Sequence, residues 1–183
     1  MGDSRTLTLR RATPDDAQSV LDYMLETLPE VTPFICTTPE EFHYTVEEER
    51  ALLAKQDAKR GDLWMIAESG GRVFGSLNAT ATRRQRLRHV TQIGMTLRAE
   101  CRGVGLGTAM MATLIDWAES HPATELLQLE VYHDNERAQR LYRRVGFVEA
   151  GRIPRRMKFG PGDYKDSVIM CRGVSRPDEK GLP

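Results

Sequence analysis

Cysteine is scarce in this 183-residue chain: Cys36, Cys101 and Cys171 are odd in number, widely separated and never arranged as a CxxC pair. A disulfide framework and a cysteine-based zinc site are both disfavoured, and a reducing cytoplasm is the expected compartment. No apolar run approaches the ~18 residues that a membrane span needs. The opening MGDSRTLTLRR has no apolar h-region, so no secretory signal is expected there. Charge of one sign is lacking too. The 26 basic residues balance 26 acidic ones, which argues against a dedicated nucleic-acid surface. Histidines are few and scattered (His43, His89, His121, His133), without metal-ligand spacing, and no metal is expected. Lysine is rare; arginine dominates the basic residues, and its fork of donors favours phosphate or carboxylate partners. What remains is 40% hydrophobic and 28% charged, a globular balance in a length that suits one domain.

Residues 6–10 alternate as a short strand. Thr13-Pro14-Asp15-Asp16 then opens a helix whose stripe is Ala17, Val20, Leu21, Met24 and Leu28, with Pro29 helping to end it. Thr38-Pro39-Glu40-Glu41 reads as a capping box for a second helix running to about Lys55, with Phe42, Val46 and Leu53 inward. Strands are expected over 63–68 and 73–82, joined by the turn Ser69-Gly70-Gly71-Arg72, and again over 90–97. Residues 108–120 form an amphipathic helix, 126–131 a strand, and 135–145 a helix closed by Gly146. Residues 147–150 and 167–171 are the final strands. The expected organisation is one mixed α+β domain over 1–174 with a loose tail over 175–183.

Between a strand and a helix stands Arg102-Gly103-Val104-Gly105-Leu106-Gly107-Thr108. A helix N-terminus exposes unpaired N–H groups, and glycine lets an anion approach the backbone, so this turn suits a phosphate ligand; a mere packing turn is the competing reading. The glycine spacing fits neither G-x-G-x-x-G nor a Walker loop, which needs a Lys here. An NAD- or ATP-dependent reading therefore conflicts with the spacing.

Arg102-x-x-Gly105-x-Gly107 resembles the R/Q-x-x-G-x-G/A loop of the GNAT superfamily of acyl-CoA N-acyltransferases. Downstream, Glu130-Val131-Tyr132-His133-Asp134-Asn135-x-x-Ala138-x-x-Leu141-Tyr142-x-x-x-Gly146-Phe147 is similar to that family's second signature, and Arg11 to Ala17 to its opening. The resemblance implies a layered α/β/α fold of the α+β class, with a mixed, twisted sheet of about six or seven strands flanked by about four helices. It implies acetyl-CoA as co-substrate, lying where the fourth and fifth strands splay. Met95, Thr96 and Leu97 would follow the pantetheine, Arg102, Gly103, Val104, Gly105, Leu106, Gly107 and Thr108 would wrap the pyrophosphate, and Asn135 would lie near the pantetheine. Tyr142 would reach the sulfur. The backbone N–H of Leu97, in a strand that is bulged in the family, would stabilise the oxyanion.

On the residues alone, Ala138, Leu141, Tyr142 and Val145 share one helix face, with Arg137, Arg140 and Arg144 outward. A lone inward Tyr is usually a core aromatic; inside this motif it is a candidate general acid for the departing thiolate. Glu130 shares a strand face with Gln128 and is the candidate base, its pKa expected to rise through burial; a water relay is the alternative. Cys101 reads as a small buried hydrophobe rather than a nucleophile. Arg83 to Arg88 reads as a solvated hairpin tip, or less readily as an attractor of acidic groups, while Arg137 and Arg140 are candidates for the CoA 3′-phosphate.

The expected acceptor is a primary amine of a small molecule or peptide, with neither nucleic acid nor membrane as partner. The resemblance places acceptor specificity in residues 28–44 and 153–165: Glu30, Phe34, Glu40, Glu41 and Tyr44, with Glu26 just before them, give the first an acidic and aromatic mix that suits a cationic amine, and the second, with Arg155, Arg156 and Lys165, is basic then mixed. A homodimer is expected by analogy with relatives. The competing functional class is a non-catalytic acyl-CoA-binding module.

Overall fold

The computed structural model describes residues 6–175. Seven strands form one sheet: β1 (Thr8–Arg11), β2 (Leu63–Ser69), β3 (Arg72–Ala81), β4 (Val90–Leu97), β5 (Leu126–Tyr132), β6 (Val148–Gly160) and β7 (Asp163–Gly173). Their order is β1-β2-β3-β4-β5-β7-β6, and only β4 and β5 pair in parallel. Four α-helices flank it: α1 (Ala17–Val31), α2 (Val46–Ala54), α3 (Leu106–Ser120) and α4 (Glu136–Arg144). This is a layered α+β architecture with the strand and helix numbers that the resemblance implied.

Strand alternation sorts the core into two layers. Met65, Leu77, Leu127, Leu129, Val168 and Met170 face α3, where Met110, Met111 and Leu114 are fully buried. Ile66 and Val73 face the other way, against Ala17, Val20 and Tyr23 of α1 and Leu53 of α2. Gly70 (φ 58°) and Gly71 (φ 79°) make the tight β2–β3 turn, a left-handed pair that side chains disfavour.

Several boundaries differ from expectation. Pro29 does not end the first helix but lies inside α1; the carbonyl it leaves without an intrahelical partner belongs to Leu25, which is exposed. Thr38 and Glu41 cap only a single 3₁₀ turn, Pro39–Glu41. The cap of α2 is Thr45, whose hydroxyl accepts from Glu48 N–H (3.2 Å) while the Glu48 carboxylate accepts from Thr45 N–H (2.8 Å). The helix is therefore shorter than expected. The final strands are longer, 13 and 11 residues, because they pair with each other as a hairpin around Gly162. Of the expected tail, residues 176–183 lie outside the described residues, as do residues 1–5.

Strand β4 is not bulged, contrary to what the resemblance implied: it pairs with β3 from Thr91 to Leu97 without a shift. The irregularity falls one ladder away, where Ala67 and Glu68 pair with Gly75 and Val73 and leave Phe74 as the extra residue.

Tyr23 is fully buried, and desolvation pushes its phenol up to about 12; its hydroxyl hydrogen-bonds Thr96 Oγ1 at 3.0 Å. Unfolded tyrosine titrates near 10, so the folded state holds a proton that the unfolded state releases. That contribution to stability is whole below pH ~10 and is lost as pH rises toward about 12. Denaturant midpoints should hold steady to pH ~10 and then fall, less steeply in Tyr23→Phe than in wild type.

Candidate active site

β4 and β5 stay paired from Val90–Leu126 to Ile93–Leu129 and then part. Beyond that point each keeps its outer neighbour, β3 or β7, but the inner edges face a gap. A cleft of about 890 Å³ opens there, lined by Gly94 to Leu97, the turn at 102–108, Glu130 to Tyr132 and the inner face of α4.

One end of the cleft is the α3 N-terminus. Gly103 (φ 82°) and Gly105 (φ 94°) turn the chain so that Gly105 caps the helix. Its first closing hydrogen bond runs from Ala109 N–H to Gly105 O (3.0 Å), which leaves the amides of Leu106, Gly107 and Thr108 outside the helical ladder. A Cβ on Gly107 would meet Leu141 Cδ2 at 3.1 Å and Leu97 Cδ1 at 3.3 Å, so glycine is what lets this turn sit against β4 and α4. Thr108, Arg137, Arg140 and Arg144 complete a wall rich in anion-binding groups.

In the middle, Tyr142 reaches the cleft wall from α4. It is buried, desolvation pushes its phenol up to about 12, and among the described residues its hydroxyl has no hydrogen-bond partner. Across the cleft, Glu130 Oε1 accepts from the buried Ser167 hydroxyl and lies 3.5 Å from Arg156 Nε.

The family model of the acetyltransferase (GNAT) domain matches residues 6–148. The chain belongs to the GNAT acetyltransferase family. Membership makes it an acetyl-CoA-dependent N-acetyltransferase. The L-amino acid N-acetyltransferase AaaT of Escherichia coli is 26% identical over 108 residues, which span 59% of this chain and 66% of that protein, just under two thirds of its length. An acetyltransferase of GNAT family from Streptococcus pneumoniae superposes with a TM-score of 0.86 at 27% identity, covering 93% of this chain and 100% of that one. An acetyltransferase from Salmonella typhimurium, solved with its cofactor acetyl-CoA, shares the fold (TM-score 0.80, 19% identity, 98% of each chain).

In this GNAT chain, Met95, Thr96, Leu97, Arg102, Gly103, Gly105, Gly107, Thr108, Asn135 and Tyr142 all line the cleft. Val104 and Leu106 do not. Val104 is 72% exposed on the outside of the turn, and Leu106 packs into the core. Asn135 serves first as the α4 N-cap, its Oδ1 accepting from Ala138 N–H (3.2 Å). Arg102 was expected to extend donors to a diphosphate; its guanidinium instead donates to Leu97 O (2.9 Å) and Glu30 (3.1 Å). Arg98 does the same beside it, donating to Val73 O (2.7 Å) and Glu26 (2.5 Å).

Those pairings also correct the expected acidic acceptor wall: Glu26 and Glu30 are tied to arginines, and the Glu41 carboxylate accepts from Thr38 N–H (3.0 Å). Glu130 is not buried as expected, its side chain being 37% exposed. Cys101 is buried. His133 is held at the β7 edge, its Nδ1 accepting from Asp166 N–H (3.2 Å). Arg83 to Arg88 is an exposed turn at the far end of β4 from the glycine loop. Among the described residues no helix is long and apolar enough to cross a membrane.

Sequence reasoning missed Ser167, and it placed Arg156 and Lys165 in the acceptor segment 153–165 without giving either a partner. Lys165 Nζ meets Asp134 (2.7 Å) and Pro33 O (2.9 Å) amid Phe34, Tyr132 and Phe159, joining the loop after α1 to β7. Nothing local marks these residues, which reach the site through the β5–β7–β6 pairing.

A Cβ at Gly105 would force a side chain into the left-handed region, a cost of roughly 1–2 kcal/mol. Gly105→Ala should weaken acetyl-CoA binding by about 10-fold in calorimetry and lower the melting temperature by roughly 2–8 °C.

Proposed function

We propose that this enzyme moves the acetyl group of acetyl-CoA onto a primary amine of a small molecule or peptide, by direct attack within a ternary complex. The observation that carries the reading is Tyr142: a buried phenol, kept protonated far above neutral pH, on the wall of the gap between β4 and β5 and without a protein partner for its hydroxyl.

Amide groups at the glycine turn supply donors for the diphosphate, and the inner edges of β4 and β5 supply unpaired backbone groups for the pantetheine amides. The acceptor nitrogen forms its bond to the thioester carbonyl carbon while its surplus proton passes to Glu130, directly or through water. Ser167 and Arg156 both engage Oε1, and the other carboxylate oxygen has no partner among the described residues, so it can take that proton. The Leu97 N–H is the candidate donor to the developing oxyanion. Collapse of the tetrahedral species breaks the carbon–sulfur bond, and Tyr142 gives its proton to the departing thiolate. After product leaves, Glu130 gives up the proton it took and the phenol regains one, both by exchange with solvent. No acyl-enzyme is formed.

Thiol release from acetyl-CoA over a panel of amines tests the reading. Tyr142→Phe should lower kcat by about 100-fold with little change in the KM for acetyl-CoA. With the phenol at about 12, wild-type kcat should show no loss attributable to its deprotonation between pH 7 and pH 10. Binding of acetyl-CoA without thiol release to any amine would mark a non-catalytic module instead.

A further inference from the structure

The cleft does not end at Glu130. A second cavity of about 520 Å³ adjoins it, and Ile35, Cys36, Tyr132 and Met157 line both. Its roof is the chain from Pro29 to Glu40, which leaves α1; its floor is Tyr132 with Met157, Lys158 and Phe159 of β6. Alternation puts Tyr132 on the same face of β5 as Glu130, two residues or about 7 Å further along the strand. A molecule with its nitrogen at Glu130 therefore has a place for its body about that far away.

That place is largely apolar, through Ile35, Pro39, Tyr132, Met157 and Phe159. Phe159 keeps 42% exposure, apolar surface that a bound body would cover. The polar groups of the roof are engaged within it. Thr32 Oγ1 donates to Leu28 O (2.7 Å), and hydrogen bonds from its own backbone and from Thr38 hold the Glu40 carboxyl below the usual carboxylate range.

Among the described residues, one hydrogen bond ties the chain over 32–45 to the sheet: Lys165 Nζ, on β7, donates to Pro33 O (2.9 Å). The same ammonium meets Asp134 (2.7 Å) and lies 4.7 Å from the Phe159 ring centre, 5.6 Å from that of Phe34 and 5.7 Å from that of Tyr132. Its side chain is 18% exposed, so rings and acceptors enclose it. One cation thus gathers the roof, the two floor aromatics and the loop before α4.

We propose that the acceptor is a primary amine borne by a short linker on an uncharged apolar body, that the second cavity holds this body, and that Lys165 is the positioning residue that keeps its roof in place. This rests on the acetyl-transfer reading above. A body with a second cation would stand beside Lys158 and Lys165, and Asp134 is already taken by the latter. A carboxylate would give up water for the exposed Lys158 alone, an exchange of little net gain. Hydroxyls or amides would be left unpaired against Ile35, Met157 and the rings.

Steady-state thiol release with acetyl-CoA should be measured on the full chain for phenethylamine and pentylamine beside ethanolamine, 1,4-diaminobutane and β-alanine. The first two should exceed the others in kcat/KM by about 10- to 100-fold, the range that burying one large apolar group supplies. Lys165→Met keeps the length of the side chain and removes its charge. It should raise the KM for phenethylamine by about 10-fold while the KM for acetyl-CoA stays within about twofold, and Lys165→Arg should restore part of the difference. Phe159→Ala, at a half-exposed position, should shrink the apolar advantage by about 10-fold whether or not Lys165→Met folds. Equal turnover of all five amines, or preference for a charged or hydroxylated one, would overturn the inference and leave the acetyl-transfer reading standing. An equal rise of both KM values in Lys165→Met would overturn the positioning role. Absence of release from every amine, here and across the wider panel, would overturn both the inference and the reading beneath it.

Discussion

The parallel pairing of β4 with β5 lasts for four residue pairs, from Val90–Leu126 to Ile93–Leu129, and its interruption is the constraint on which the site depends. Backbone amides and carbonyls in a sheet interior must be satisfied, and a break in mid-sheet leaves two facing edges of them. The twist of the sheet tolerates such a gap because β3 and β7 continue to hold the outer edges of the two strands. Helices α3 and α4 then stand at the gap. One brings its N-terminal amides and the other brings Tyr142, so a single parting of strands collects the whole cleft.

The walls of that gap are fixed by charge as much as by packing. Two carboxylates one helical turn apart on α1, Glu26 and Glu30, hold Arg98 and Arg102, and through them the chain that leaves β4 for the glycine turn. Arg98 is buried with its Nε on Val73 O and its guanidinium 5.4 Å from the Tyr23 ring, so the anchor is enclosed on the arginine side while Glu26 stays exposed. The Leu97 carbonyl is occupied by Arg102 in the same arrangement. Orientation of the last β4 peptide is therefore coupled to α1.

What could be read from the sequence follows the range over which each feature is determined. The glycine turn, the helix over 135–145 and its inward stripe Ala138–Leu141–Tyr142–Val145 are local, set by neighbours within a helical turn, and each was legible. So were the strands β2 to β5, whose alternation is regular. The α2 boundary failed because two Thr-x-x-Glu boxes compete within ten residues, Thr38–Glu41 and Thr45–Glu48, and only tertiary packing decides which one starts a helix. Strand β6 failed for a different reason: three register shifts scramble its alternation, so its 13 residues show no period from which Arg156 could be assigned a face. Glu26 and Glu30 read as acceptor-facing acids because nothing in their neighbourhood announces arginines some seventy positions away.

Tyr23 and Tyr142 show why an elevated phenol alone identifies no catalyst. Both are buried, both are pushed up to about 12, and desolvation is the leading cause in each. Tyr23 spends its hydroxyl on Thr96 within the core beneath α1, where it ties a helix to β4. Tyr142 has the same stiffness and the same retained proton, but its hydroxyl is left without a protein partner on the cleft wall. Burial keeps both phenols protonated across the physiological range, and what separates them is that Tyr142 stands on the cleft wall, where the proposed proton transfer to a departing thiolate would occur.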